Sequence, residues 1–222
     1  MTITANTSGG EGASGAPMLE LDAISLGKRY GRRVVFREVD LHAVSGRVLV
    51  VTGPNGSGKS TLLRCLAGLE RPDRGEVRWQ QGQRRWGVRE RRARMGFMSP
   101  ELALYDELTG TENLRFFARM RGARPAAAEL EELLVRVGLA GRGPDRIADY
   151  SSGMRQRLKW AFALMHTPDA LLLDEPGVTL DAKGFALAGE LVAEAKQRGA
   201  VVIIATNDTR EMELGDEHYA LG

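Results

Sequence analysis

The chain has 222 residues, enough for one full-sized domain or a core with a subdomain, and 43% of them are hydrophobic. Lys and Arg number 31 against 29 Asp and Glu, so the formal net charge of +2 removes charge excess as an argument for nucleic-acid binding. One cysteine, Cys65, excludes an intrachain disulfide framework, and no apolar run approaches the roughly 20 residues of a membrane helix.

Glycine is in excess, with 27 residues. Part of the excess lies in Met1 to Pro17, a stretch rich in Gly, Ser, Thr and Ala. It lacks the basic start and apolar centre of a signal peptide and reads as a flexible tail, residues 1–17. The remaining glycines require a site.

From Leu19 the pattern becomes structured, and residues 18–222 read as one domain. Leu19, Leu21, Ile24 and Leu26 predict a partly buried strand, with a turn at Gly31 and a second strand over Val34 to Leu41. Val48 to Thr52 is a compact β-branched run, expected in the sheet interior. A glycine-rich turn follows, then a helix over Ser60 to Leu69 in which Cys65 reads as a small buried side chain. Between Gly75 and Met98 the spacing predicts short strands broken at Gly82 and Gly87. Arg84, Arg85, Arg89, Arg91, Arg92 and Arg94 make a basic run that reads as a solvated face or as a contact for an anionic partner or headgroups, and Trp79 and Trp86 without a clear module do not make a nucleic-acid platform.

Residues 102–168 read as a helical insertion. Leu114, Phe116, Phe117 and Met120, then Leu130, Leu133, Leu134 and Val137, form packing stripes. A further helix begins near Gly153, with Met154, Leu158, Ala161, Phe162 and Met165 on one side. Ala170 to Leu173 is an apolar strand, Asp181 to Arg198 a helix, and Ala200 to Ala205 a final interior strand. The alternation predicts an α/β fold with a mostly parallel sheet. His42, His166 and His218 show no metal-site spacing, and His218 falls in the tail.

The chemistry concentrates in Gly53-Pro54-Asn55-Gly56-Ser57-Gly58-Lys59-Ser60-Thr61. A glycine, four residues, then Gly-Lys-Ser, between a strand and a helix, is the spacing of a phosphate loop. Glycines let backbone N–H groups curl around phosphate oxygens, and the helix start adds positive potential. Lys59 can reach the β- and γ-phosphates and Ser60 can ligate Mg²⁺. The second element is Leu171-Leu172-Leu173-Asp174-Glu175-Pro176. An acid at the end of a buried strand requires a cation or donors, so Asp174 can hold Mg²⁺ and Glu175 can polarise an attacking water.

Residues 53–61, Ser151-Ser152-Gly153-Met154-Arg155-Gln156, residues 171–176 and Leu180-Asp181 resemble, in order, the phosphate loop, signature, magnesium strand and aspartate loop of ABC-type ATP-binding domains. The resemblance runs from about Leu19 to the C-terminus. It implies a P-loop NTPase core of the ABC ATPase type, with a small antiparallel β-subdomain and a helical insertion. The variant signature Tyr150-Ser151-Ser152-Gly153-Met154 resembles bacterial exporter subunits.

That resemblance implies ATP and Mg²⁺ as cofactors and an ATP-sandwich homodimer or heterodimer. Ser151 and Gly153 of one subunit would cap the γ-phosphate held by Lys59 and Ser60 of the other. Asp181 would cross the interface beside the attacking water, and Tyr30 would stack on adenine. Two departures stand out. Pro100 occupies the place of a loop glutamine, with Glu101 either a neighbouring carboxylate or a solvated residue. Asn207 stands where the family commonly has histidine; it can hydrogen-bond the γ-phosphate or water but carries no switchable charge.

The resulting expectation is a Mg-dependent ATPase at the cytoplasmic face of the membrane. It would be peripheral, coupled to a separate integral-membrane transporter subunit, and without a nucleic-acid partner. Leu102, Tyr105, Asp106, Leu108 and Glu112 resemble the stretch that docks on such a subunit. Exporters of small molecules, drugs, lipids or haem share the pattern; the short length resembles the haem-exporter subunit of cytochrome c maturation. The competing readings are an ATP-gated regulatory or assembly subunit with little hydrolysis, and a soluble ABC ATPase outside transport.

Overall fold

The computed structural model describes residues 17–222; the stretch expected to be a flexible tail lies, up to residue 16, outside the described residues. Among the described residues there are two sheets. In the first, β1 (Leu19–Tyr30) pairs antiparallel with β2 (Arg33–Val44) and β4 (Arg74–Gln81), and the two-residue β5 (Arg84–Arg85) closes the order β2-β1-β4-β5. Leu19, Leu21 and Ala23 are buried, alternating with half-buried neighbours, until a register shift between Ala23 and Leu26 bends β1.

The second sheet is wholly parallel. It comprises β3 (Val48–Thr52), β6 (Met95–Met98), β7 (Ala170–Asp174), β8 (Val201–Thr206) and β9 (Glu217–Ala220), in the order β6-β7-β8-β3-β9. Its central strands are unbroken apolar runs because both faces are covered. Val48, Val50, Leu171, Leu173, Val202 and Ile204 face the core shared with the helical insertion. Leu49, Val51, Leu172, Val201 and Ile203 face the one shared with α1 (Lys59–Ala67) and the antiparallel sheet. The period of two thus divides each strand between two cores.

Three parts of the chain differ from expectation. The stretch after Gly87 contains a helix, α2 (Val88–Arg94), none of whose side chains is buried. Arg89 and Arg92 are exposed and Arg94 half-buried, while Arg91 folds back to donate to the carbonyls of Trp86 (3.3 Å) and Val77 (3.2 Å). Trp79 and Trp86 are buried and stacked, with centroids 5.9 Å apart. In the insertion, α4 (Ala127–Arg136) buries Leu130, Leu133 and Leu134 as the stripe predicts. α3 (Gly110–Met120) instead turns Gly110, Asn113, Leu114 and Ala118 inward and leaves Met120 72% exposed. The reason is Asn113, whose amide is fully buried and bonded to the backbone of Tyr105 and Thr109. A satisfied polar group occupies the inner face, and periodicity of apolar residues cannot see it.

Residues 201–206 are interior but not the final strand. β9 follows at the sheet edge beside β3, so His218 lies on a strand rather than in a tail. Glu217 and His218 are exposed, and a short polar edge strand presents no apolar run to read. Between β8 and β9 sits the short α7 (Thr209–Met212), and α6 (Ala182–Gln197) packs on the other flank.

Candidate functional site

The phosphate loop leaves the C-terminal end of β3 and enters α1. Gly53 and Gly58 are the positions where a side chain has no room. Gly53 has φ 151°, and a Cβ there would meet the Leu221 carbonyl at 2.3 Å. Gly58, at φ 101°, would meet Val35 at 2.5 Å. The same Gly58 precedes α1, and its carbonyl accepts the Leu62 N–H (2.8 Å). The loop's Lys59 is 6% exposed, and its ammonium donates to the carbonyls of Gly53 (2.7 Å) and Pro54 (3.2 Å). A buried cation held against neutral carbonyls is a group suited to receive an anion.

Asp174 closes β7, in register with Ala205 of the adjacent β8, and is 3% exposed. Burial pushes its carboxyl above the usual carboxylate range, opposed by the nearby Ser60 hydroxyl. One buried carboxylate beside one hydroxyl is a hard-oxygen pair of the kind that holds Mg²⁺ with phosphate oxygens completing the shell. Its burial fits that role, since a divalent cation relieves the cost of the charge. Among the described residues no group of three or more His, Cys, Asp or Glu gathers at a metal-binding spacing.

Glu175 follows in the left-handed backbone region, φ 48°. For a residue with a Cβ this costs about 1–3 kcal/mol and persists only where the surroundings enforce it. Asn207 follows β8, and its amide donates to Asn55 Oδ1 of the phosphate loop (2.7 Å). The strand ends of β3, β7 and β8 therefore bring Lys59, Ser60, Asp174, Glu175, Asn55 and Asn207 to one edge of the parallel sheet, where α/β folds bind ligands.

The other expected residues lie around this centre. Tyr30 is 48% exposed, donates to Glu70 (2.6 Å) and has Lys28 over its ring. Ser151 caps α5 (Ser152–Leu164) by accepting from the Met154 N–H, and Ser151 and Ser152 are exposed. No hydrogen bond joins Ser151 or Gly153 to residues 53–61 among the described residues. Asp181 caps α6, accepting from the Gly184 N–H (2.8 Å) and from Arg157 (3.2 Å). The Gly184 N–H, with Arg157 beside it, holds its carboxyl below the usual range. Glu112, expected in a docking stretch, completes a capping box with Thr109 at the start of α3. Cys65 is buried, which pushes its thiol up to about 11.

Several contacts were not legible beforehand. Lys159 Nζ donates to the carbonyl of Pro100 (2.6 Å), and Glu101 pairs with Arg64 of α1 (2.8 Å), so the loop lacking glutamine is tied on two sides. Gln156 donates to the carbonyls of Glu175 (3.3 Å) and Pro176 (3.0 Å), and Trp160 to that of Pro176 (3.1 Å). Glu211 of α7 accepts the Gly177 N–H. Gln156 sits inside the signature motif, a signal that could have marked it; Lys159, Trp160 and Glu211 carry no such spacing. His166, half-buried beside Arg121, is held down to about 4 by desolvation and is neutral.

Residues 36–178 match the sequence profile described as "ABC transporter". The chain is 39% identical over 191 residues to a daunorubicin resistance ATP-binding protein of Streptomyces coeruleorubidus, covering 84% of this chain and 60% of that protein. It therefore spans about three fifths of that relative's length. It is 37% identical over 193 residues to a cytochrome c biogenesis ATP-binding export protein of Cupriavidus metallidurans, covering 84% and 89%. It is also 37% identical over 200 residues to a sulfate/thiosulfate import ATP-binding protein of Synechocystis, covering 87% and 55%. Among solved structures, an ATP-binding subunit of an ABC transporter superposes with TM-score 0.78 at 28% identity, over 90% of this chain and 85% of that one. A dimeric bacterial ABC transporter cassette does so with TM-score 0.79 at 25% identity, over 90% and 94%.

Proposed function

This chain belongs to the ABC transporter family, and from that premise we propose that it binds and hydrolyses ATP to power a transporter whose membrane-spanning part is a separate subunit. The observation that carries this reading is the convergence of Lys59, Ser60, Asp174 and Glu175 at the ends of neighbouring parallel strands. Lys59 neutralises charge on the β- and γ-phosphates, and loop N–H groups orient their oxygens. Ser60 and Asp174 would hold Mg²⁺, which when bound offsets phosphate charge as the terminal bond breaks. Glu175 orients water for in-line attack on the γ-phosphorus, with ADP and phosphate as products. Asn207 stands within hydrogen-bonding distance of the loop and can steady the water or the γ-phosphate.

The signature residues complete the site from a second copy or a related subunit. Ser151 and Ser152 are exposed at the start of α5, whose N-terminal N–H groups would receive a partner's phosphate. Asp181 adds a carboxylate at the same face. Tyr30, exposed and at the end of β1, offers its ring to adenine once its hydroxyl exchanges Glu70 for solvent. Dimer closure on ATP and opening after hydrolysis then bias two states of the membrane subunit.

That subunit is proposed because no helix among the described residues is long and apolar enough to cross a membrane. An open cleft of about 1070 Å³ between α2, β6 and the insertion has an apolar floor of Leu69, Phe97 and Leu133, and none of Leu102, Tyr105, Asp106, Leu108 and Glu112, the stretch expected to dock, lines it. Arg89, Arg92 and Arg124 on its rim have no ion-pair partner among the described residues. A cytoplasmic segment bearing acidic side chains on an apolar helix fits it by charge complementarity. Such docking places the chain peripherally on the cytoplasmic face. Transport is proposed to run outward, from the signature form; relatives of equal identity are named for export and for import.

ATP turnover tests the reading, with Glu175→Gln as the control. Turnover at least a hundredfold above that variant supports hydrolysis. Equal ATP binding by both proteins with equal, background turnover, alone and in membranes holding the partner, replaces it with an ATP-gated regulatory subunit. The Asn207–Asn55 bond favours that second reading, because it engages the amide that stands in for a switchable histidine.

A further inference from the structure

The turn that carries Glu175 is held from three sides. Its own N–H donates to the Ala205 carbonyl of β8 (2.9 Å). From α5, Gln156 and Trp160 both donate to the Pro176 carbonyl. From α7, Glu211 receives the Gly177 N–H on Oε1. Glu211 is only 2% exposed, and its second oxygen, Oε2, is sealed in without a hydrogen-bond partner among the described residues. The fit is tight: a Cβ on Gly177 would lie 2.6 Å from Oε1 and 2.9 Å from the Phe185 ring.

A buried carboxyl is costly, and this one sits where two loops of the site meet. Its helix begins directly after Asn207-Asp208, and Asp208 caps that helix. The residue it holds lies two positions beyond Glu175. We propose that Glu211 is a positioning residue for hydrolysis: it locks the Glu175 turn to the Asn207 loop, so that carboxylate and amide meet the terminal phosphate in one register. The inference rests on the hydrolytic reading above. Burial pushes the Glu211 carboxyl above its usual range. Glutamine keeps the side chain's shape and the oxygen that accepts the Gly177 N–H, so it is the conservative replacement.

The test uses the full chain with Mg²⁺ and ATP, measuring kcat, KM and backbone amide exchange over residues 175–178. Glu211→Ala is expected to lower kcat at least tenfold with KM for ATP within threefold of wild type, and to speed exchange at Gly177. Glu211→Gln should restore kcat to within threefold and keep the amide protected, and Glu213→Ala, an exposed neighbour, should match wild type. If Glu211→Ala does not fold, Gly177→Ala displaces the same contact and should give the same loss in kcat with KM kept. A folded Glu211→Ala with wild-type kcat, or a Glu211→Gln as impaired as the alanine variant, overturns the proposal. Absence of turnover in wild type is a failure of the hydrolytic reading instead. The tie is then judged on exchange in ATP: protection lost in alanine and kept in glutamine supports it, and no difference overturns it.

Discussion

At the phosphate loop Lys59 is 6% exposed and bonded to two carbonyls, Asp174 is 3% exposed beside Ser60, and Asn207 reaches across to Asn55. At the signature end Ser151 and Ser152 stand in solvent, with the Ser151 hydroxyl engaged only by its own helix start. At the core sheet the site residues find partners in the same loops and strand ends. On the insertion, the proposed second half leaves the two serines without partners from the core among the described residues. A buried half-site has to be complete before ligand arrives, because unpaired polar groups in it would be costly. An exposed half-site is satisfied by water and bears no such cost, which suits a surface used only when another surface meets it.

The largest expected effect comes from breaking the buried half. Lys59→Ala should reduce turnover a hundredfold or more and weaken ATP binding, read by steady-state kinetics and titration with ATP. On the open half, Ser151→Ala removes a helix cap worth about 1 kcal/mol. It should shift Tm by only about 2–4 °C while turnover falls at least tenfold. Unchanged turnover there would return Ser151 to a capping role alone.

The glycines sharpen the contrast. Gly53→Ala places a methyl against the Leu221 carbonyl at 2.3 Å and should destabilise the fold by about 1–3 kcal/mol, seen as a lower denaturation midpoint. Gly153→Ala meets nothing nearer than 3.4 Å and lies within α5, so the fold should hold or gain slightly. Lost turnover in that stable variant would assign the glycine to partner contact.

The smallest effect concerns stability against pH. Asp174 has its folded carboxyl raised above the unfolded value near 3.8. The native state then binds the proton more tightly, so stability falls as pH rises through the folded value, and the cost is fully present above it. Without Mg²⁺, Asp174→Asn should therefore melt a few degrees above wild type at neutral pH. The gap should close on acidification towards the unfolded value. A variant less stable than wild type at neutral pH would mean that the favourable pull of Ser60, Arg64 and Lys59 on the charge outweighs burial.

What could be read from sequence was what is local. The loop between Val48–Thr52 and α1 is legible because strand, glycines, lysine and hydroxyl are consecutive. The Asp174-Glu175 pair is legible because acids abruptly end an apolar strand. The antiparallel sheet and the parallel core follow from periods of two and from unbroken apolar runs. The misses are polar residues whose partners no motif or apolar spacing marks. Asn113 took an inner position on α3 that apolar spacing could not assign, Asn207 meets Asn55 across 152 residues, and Glu211 looks in sequence like any surface acid. β9 escaped because an edge strand of four mostly exposed residues carries no hydrophobic pattern.

That edge strand also changes where the nucleotide site ends. Leu221, just past β9, donates its N–H to the Thr52 carbonyl (2.8 Å), and its own carbonyl leaves no space for a side chain on Gly53. The last residues of this sequence thus form a rail along which the phosphate loop is seated. A shift of Leu221 therefore reaches the phosphate loop directly, through the Thr52 bond and the space beside Gly53.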